Sequence, residues 1–165
     1  MGKAEKTKQF IIERVAPIFN KKGVHGTALS DITEATGLTK GAIYGNFADK
    51  NELARSCYEH NLKFLQRGLY RSFTGQTSSW NKLEKLLNFY VENFEEIDKH
   101  GGCPLMNHAI EADDGNDLLL NSVQQTFASW EKELIAVMRA GQENGEFKQT
   151  ANIEGLAKLF IATLE

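Results

Sequence analysis

The sequence predicts an all-α protein, with three N-terminal helices arranged as a helix-turn-helix unit and a longer helical body after them. Apolar residues recur at spacings of three and four through almost the whole chain, and the alternation typical of strands is nearly absent. The chain has 165 residues, of which 41% are apolar and 25% are charged. This is the ordinary balance of a globular protein, and it excludes a disordered tail and a collagen-like fibre.

The first helix is predicted over residues 5–22, where five apolar side chains fall on one helical face. Gly23 follows them in the position of a C′ glycine. Pro17 lies inside the run and cannot donate a backbone hydrogen bond, so we expect a local kink there.

Two short helices separated by a tight turn come next. Thr27 is placed to cap the first of them, which Gly37 ends, and Thr39 is placed to cap the second. Their apolar residues are expected to form one small core, and these are Leu29, Ile32, Leu38, Ile43 and Phe47.

The body is predicted to consist of helices of mixed length. Asp49-Lys50-Asn51-Glu52 has the spacing of a capping box, so a long helix is expected over about 49–73. Further helices are predicted over about 80–99, 105–111, 117–144 and from 152 onward, with turns at 74–79, 100–104 and 113–116. The last helix reaches Glu165 without a stop signal, so we expect the natural protein to continue beyond it.

Charge is distributed unevenly along the chain. Residues 1–50 hold eight Lys and Arg against five Asp and Glu, whereas residues 51–165 hold eleven against seventeen. A basic segment joined to an acidic body fits a nucleic-acid-binding end attached to a part with another task. Two cysteines, no long apolar run and no signal peptide favour a cytoplasmic protein with no membrane partner.

The segment from Thr27 to Lys50 has the chemistry of a DNA-reading helix-turn-helix. Gly37 can adopt the positive φ that the turn requires, and the small Ala35 permits close contact between helices. Short or polar residues remain for the exposed face of the second helix. Such a helix can approach the floor of the major groove without steric conflict.

Residues 7–60 resemble the DNA-binding domain of the tetracycline-repressor (TetR) family of bacterial transcription regulators. The resemblance is carried by Phe19-Asn20-Lys21-Lys22-Gly23, a Thr-x-x-x-Asp-Ile entry, a Gly-x-x-Lys-Gly turn, a Tyr-x-x-Phe pair and Lys50. It implies a helix-turn-helix domain over 1–48 and an effector-binding and dimerisation domain over 49–165.

The resemblance also implies which residues contact DNA. Thr27 and Thr39 match phosphate contacts at helix N-termini, and Tyr44 and Lys50 match positions that clamp the DNA backbone. The residues expected to face the bases are Lys40, Gly41 and Ala42. Each threonine could instead serve only as a helix cap, and Lys50 could be a solvated charge.

Residues 51–165 resemble the family's ligand-binding region only in helix number and length. The likeness implies a homodimer paired through 117–144 and the last helix, a palindromic double-stranded operator, and a small-molecule effector of unknown identity. The residues proposed to line the effector pocket are aromatic or sulfur-containing: Phe64, Phe89, Tyr90, Phe94, Met106, Phe127 and Trp130. Each of them could instead be a core residue.

Cys103 lies in a glycine-rich turn before a predicted helix, where a thiol pKa can be lowered, and it resembles a sensing cysteine of some family members. It could also be a small buried residue. No catalytic or metal-binding motif is found, so we expect no enzyme, metal or cofactor.

Three functions follow from the sequence. The first is a repressor released from its operator by a hydrophobic effector. The second is a redox- or electrophile-sensing regulator that acts through Cys103. The third is a ligand- or protein-binding helical dimer that has lost DNA binding.

Overall fold

The computed structural model describes residues 2–75, 78–112 and 117–164, except for the side chains of Asp117 and Leu118. Its helices are α1 (Lys3–Gly26), α2 (Leu29–Thr36), α3 (Lys40–Tyr44), α4 (Lys50–Phe73), α5 (Ser79–Glu92), α6 (Phe94–Lys99), α7 (Pro104–Ala112), α8 (Asp117–Glu143) and α9 (Ile153–Leu164). The all-α prediction is confirmed, and the described residues contain no strand. The turn predicted at 113–116 lies outside them.

α1 leaves helical geometry at Gly23, the residue predicted to end the first helix. Gly23 has φ 74° and ψ 165°, whereas Pro17 lies within α1, and a kink at Pro17 stays a prediction. A proline removes one hydrogen bond but has a helical φ of its own, and a helix can therefore continue through it. Positive φ costs glycine little, which is why the chain leaves helical geometry at this residue.

The helix predicted over 80–99 is two helices in the structure. Asn93 separates α5 from α6, with φ −108° and ψ 12°, and its side-chain Nδ2 donates to the Phe89 carbonyl oxygen at 2.8 Å. The Asn93 backbone N–H donates to the same Phe89 oxygen at 3.1 Å, so the side chain adds a hydrogen bond at the end of α5. Apolar periodicity alone does not reveal where this helix ends.

Two compact units form the chain: Met1–Phe64 with Ile97–Val123, and Leu65–Glu96 with Gln124–Glu165. In the first unit, α1 packs against α2 and α7. Of the small core predicted for the helix-turn-helix, Ile32, Ile43 and Phe47 are buried, while Leu29 and Leu38 are half-buried. The domain boundary predicted between residues 48 and 49 stays a prediction.

The second unit is centred on apolar residues of α5, α8 and α9. Its buried side chains include Leu86, Trp130, Leu134, Met138, Ile153 and Ile161. Glu146, between α8 and α9, accepts hydrogen bonds from the Ser78 hydroxyl at 2.7 Å and from the backbone N–H groups of Ser79 and Trp80 at 3.0 and 2.9 Å. One carboxylate therefore satisfies the first donors of α5.

Gly68 in α4 lies directly under the ring of Phe89. A Cβ at residue 68 would come within 2.1–2.5 Å of three ring atoms, a distance that real Cβ atoms do not reach. The ring and the helix backbone therefore touch at a place where only glycine fits.

We expect Gly68→Ala to destabilise the protein by about 1–3 kcal/mol, because overpacking outweighs the gain in helix propensity. Urea unfolding followed by circular dichroism measures this. Gly41→Ala is the control, since a Cβ at that helical glycine meets nothing within 4 Å and the variant should be as stable as the wild type or more so. A Gly68→Ala variant of unchanged stability would contradict the prediction.

Candidate nucleic-acid interface

The turn between α2 and α3 is short and fully capped. Gly37 ends α2 in the left-handed region, with φ 67° and ψ 14°, and its N–H donates to the Thr33 carbonyl oxygen at 2.8 Å. Thr39 caps α3, and its hydroxyl accepts from the Ala42 N–H at 3.3 Å. The predictions for Gly37 and for the Thr39 cap are thus confirmed.

The two faces of α3 differ sharply in exposure. Ile43 is fully buried, whereas the residues predicted to face DNA bases are all exposed, and they are Lys40, Gly41 and Ala42. Tyr44 is half-buried. The exposed side chains are short apart from Lys40, so DNA could approach the helix closely, with a cation available for base edges. Base contact by these residues stays a prediction.

Thr27 does not cap α2, contrary to the prediction. It is 1% exposed, and its hydroxyl donates to the Gly23 carbonyl oxygen at 2.6 Å. The cap residue is Ala28, whose N–H donates to Asp31 Oδ2 at 2.7 Å. Asp31, the third residue of α2, therefore supplies the oxygen that caps this helix, which is one half of a capping box. The Thr27 side chain bonds to α1 instead.

Lys50 reaches back from the start of α4 to the turn before α2. Its Nζ donates to the Thr27 carbonyl oxygen at 2.6 Å. An ammonium group has three donors, so this bond leaves donors that could still bind phosphate. The alternative of a merely solvated charge is wrong, because the side chain holds a defined backbone partner; its contact with DNA stays a prediction.

The start of α4 is capped as predicted. Asp49 Oδ1 accepts from the Glu52 N–H at 2.8 Å, and Glu52 Oε2 accepts from the Ala48 N–H at 2.6 Å. Glu52 also pairs with Lys8 of α1 at 2.9 Å, and the Lys8 Nζ lies 4.8 Å from the centre of the Phe47 ring. These contacts tie α1, the end of the helix-turn-helix and α4 together.

Family comparisons identify these elements. The family model described as bacterial regulatory proteins of the tetR family matches residues 11–57. The model described as the tetracyclin repressor-like C-terminal domain matches residues 79–165, more than half of the chain. The chain belongs to the tetracycline-repressor (TetR) family. It is therefore a DNA-binding transcriptional regulator with a helix-turn-helix domain and a helical C-terminal domain.

Solved TetR structures share the whole fold. A TetR-family regulator from Cytophaga hutchinsonii is 36% identical, with a TM-score of 0.92 over 99% of this chain and 82% of the other. One from Chloroflexus aurantiacus is 31% identical, with a TM-score of 0.91 over 99% and 83%. Among curated relatives, the HTH-type transcriptional repressor DhaR of Mycobacterium sp. is 26% identical over 94% of this chain and 77% of its own length.

The seven residues proposed for a TetR effector pocket are divided between the two units. Phe64 and Met106 belong to the first unit and the other five to the second. Phe94 is 68% exposed, whereas Trp130 is 6% exposed. Phe89 and Tyr90 meet edge to face with ring centres 5.6 Å apart. Effector binding by any of the seven stays a prediction.

A groove of about 560 Å³ lies within the second unit and is lined by none of those seven residues. Its walls are mainly apolar side chains of α5 and α9, among them Leu83, Leu87, Leu156, Leu159 and Phe160. The resemblance to the TetR family implies that the last helix is one of the two dimer helices. The signal that could have found the groove is the pair Leu83 and Leu87, one helical turn apart on α5.

The two cysteines differ in environment. Cys103 is half-buried and directly precedes α7, where its carbonyl oxygen accepts from the Asn107 N–H at 3.1 Å. Cys57 is fully buried, and burial raises the pKa of its thiol well above the ordinary range. A protonated, buried thiol is a poor nucleophile. Reactivity of Cys103 stays a prediction.

Within the described ranges, no group of three or more His, Cys, Asp or Glu side chains could hold a metal ion. Among the helices of that part of the chain, none is both long and apolar enough to cross a bilayer.

We expect Asp31→Asn to weaken the acid sensitivity of folding. The hydrogen bond from Lys22 and that from the Ala28 N–H hold the pKa of Asp31 below its ordinary value. A depressed folded-state pKa stabilises the protein above the unfolded value of about 3.9, and this stabilisation is lost as the pH falls through the lowered pKa.

The variant should therefore be less stable at neutral pH and lose less stability on acidification. Urea midpoints between about pH 7 and pH 2 measure both effects. Asp98→Asn, at an exposed carboxylate of α6, is the matched control. Parallel curves for Asp31→Asn and the wild type would contradict the prediction.

Proposed function

We propose that the chain is a transcriptional repressor that binds a palindromic operator as a homodimer and is released by a small apolar effector. The observation that carries the proposal is the exposed face of α3, with Lys40, Gly41 and Ala42 held outward over a buried Ile43. Repression is supported by the name of the DhaR relative. Such a regulator would work beside the chromosome, in the bacterial cytoplasm.

Recognition would combine one base contact with several phosphate contacts. Lys40 can donate to guanine O6 and N7, which is worth about 1–3 kcal/mol of discrimination. Thr39, at the N-terminus of α3, together with Tyr44 and Lys50, would bind backbone phosphates and set the register. Thr27 is buried, so any phosphate contact there would use the turn around it rather than its hydroxyl.

Dimerisation follows from how helix-turn-helix proteins read DNA. Two recognition helices of a dimer meet half-sites about 34–36 Å apart, and a single copy binds weakly. Regulators of this family bind operator DNA as dimers. We infer that α8 and α9 pair with their equivalents in a second copy, as the resemblance implies.

An effector bound in the helical body would release the protein from its operator. The described groove, at about 560 Å³, has a volume suited to a small ligand and apolar walls suited to a hydrophobic one. The seven residues proposed from the sequence offer a second location. Binding at either would shift α4 and change the separation of the two recognition helices. Equal separations in free and effector-bound crystals would refute this switch.

We expect Lys40→Ala to weaken specific binding about 5- to 150-fold, with little effect on non-specific binding, because it removes a base contact. Lys50→Ala should lower the slope of log affinity against log salt by about 0.9, because it removes one phosphate contact. Fluorescence anisotropy with DNA from just upstream of the chain's own gene, in the presence of excess non-specific DNA, measures both quantities.

Lys99→Ala in α6 removes the same charge from an exposed site outside the helix-turn-helix and outside the inferred dimer helices, and serves as the control. If all three variants bind as the wild type does, the assignment of the α3 face is wrong. A salt response that is flat for the wild type would instead favour a helical dimer without DNA binding.

A sensing role for Cys103 is the second candidate, favoured by its position immediately before α7 and by the burial of Cys57. We expect a mild oxidant or electrophile to weaken operator binding by the wild type, and Cys103→Ser to abolish that response while leaving reduced binding unchanged. Cys57→Ser should respond as the wild type does. An unaltered response in Cys103→Ser would eliminate this candidate.

A further inference from the structure

A carboxylate from α7 holds the last turn of α1, the residues that follow the break at Gly23 and lead into α2. Glu111 Oε2 accepts from the Val24 N–H at 2.7 Å, and Oε1 accepts from the His25 N–H at 2.5 Å. His25 Nδ1 lies 3.1 Å from the same Oε1. Both backbone donors follow the break at Gly23, and the acid that binds them is more than eighty positions away in sequence.

The fit between this carboxylate and the turn is close. A Cβ at residue 23 would lie 2.9 Å from Glu111 Oε1, so the carboxylate occupies the space that only glycine leaves empty. The Glu111 side chain is 14% exposed. Burial would raise the pKa of Glu111, but the hydrogen bonds from the His25 and Val24 N–H groups, together with the His25 side chain, hold the pKa below its ordinary value.

α7 itself is firmly placed. Its inner face buries Leu105, His108 and Ala112, all at 1% exposure or less. Four residues before Glu111, the Asn107 side chain donates from Nδ2 to the Asn20 carbonyl oxygen at 3.1 Å. Residues four apart lie on the same side of a helix, so Asn107 and Glu111 bond to the end of α1 from two successive turns of α7.

The bonds continue from the turn to the predicted DNA contacts. The Thr27 hydroxyl donates to the Gly23 carbonyl oxygen at 2.6 Å, and the Thr27 carbonyl oxygen accepts from Lys50 Nζ at 2.6 Å. Glu111, the turn, Thr27 and Lys50 thus form one connected set of hydrogen bonds within the first unit.

We propose that Glu111 is a positioning residue for DNA binding, which holds the Val24–His25 backbone so that the turn around Thr27 and the Lys50 ammonium meet the operator backbone. The inference rests on the proposed contacts of Thr27 and Lys50. Glu111 itself does not touch DNA, and it acts through the turn.

The test is operator binding by Glu111→Gln. An amide keeps one acceptor oxygen but turns an NH₂ group toward a backbone donor, so we expect binding to weaken about tenfold or more. The slope of log affinity against log salt should fall by about 0.9–1.8, for one or two lost phosphate contacts. Damage that merely reduces the folded fraction would lower the active concentration in a stoichiometric titration and leave the slope unchanged.

Two variants sharpen the result. Glu95→Gln removes a charge from the exposed face of α6 and should bind as the wild type does. His25→Ala removes only the side-chain contact, and we expect less than about a threefold loss because both backbone bonds remain. If Glu111→Gln does not fold, Glu111→Asp, which keeps the charge but is one methylene shorter and so cannot reach both donors as Glu111 does, should show the same loss of affinity and slope.

The outcomes distinguish a failure of the inference about Glu111 from a failure of the proposed function. Wild-type affinity and slope in Glu111→Gln or Glu111→Asp, with a wild type that binds its operator, would overturn the inference alone. A loss in His25→Ala as large as that in Glu111→Gln would also overturn it, because the ion pair and not the backbone capture would then matter. A wild type that binds no DNA specifically would overturn the proposed function as well.

Discussion

The helix-turn-helix depends on how the chain satisfies its backbone donors where α1 breaks. Gly23 turns the chain out of helical geometry, and the two N–H groups that follow find an acceptor in Glu111 of α7. Val24 is buried, and a buried donor without a partner costs about 1–3 kcal/mol, so the bond from its N–H to Glu111 ties the end of α1 to α7. The turn after Gly23 is therefore fixed by tertiary contacts, whereas the turn at Gly37 is fixed by its own capping bonds.

Features encoded within a few residues were predictable from the sequence. Gly37, the Thr39 cap and the Asp49–Glu52 capping box all use partners less than five positions apart, and all are confirmed. The errors arose at helix ends. Asp31 rather than Thr27 supplies the capping oxygen of α2, and Asn93 leaves helical geometry inside a segment that periodicity alone predicts as one helix.

The site in the helical body was less predictable for a different reason. Aromatic residues mark both cores and pockets, and only packing decides between them: Trp130 is nearly buried, while Phe94 is largely exposed. The groove in the second unit is lined instead mainly by leucines. In the sequence these leucines form apolar helix faces, and such a pattern is the same for a groove wall and for a buried core. Likewise, no pattern in the sequence relates Glu111 to Val24, since the relation exists only once α7 lies beside α1.

The pairing of lysines with oxygens in the helix-turn-helix has a consequence for how such a protein searches a chromosome. Lys8 is neutralised by Glu52, Lys22 by Asp31, and Lys50 is partly engaged by a carbonyl oxygen. Non-specific attraction to DNA grows with the number of cations that displace counterions from phosphates. Of the seven lysines in residues 1–50, two are paired with carboxylates, so these two would add less to non-specific attraction than a free lysine does. Discrimination between an operator and random DNA would then depend more on the remaining cations, which include Lys40 on the exposed face of α3.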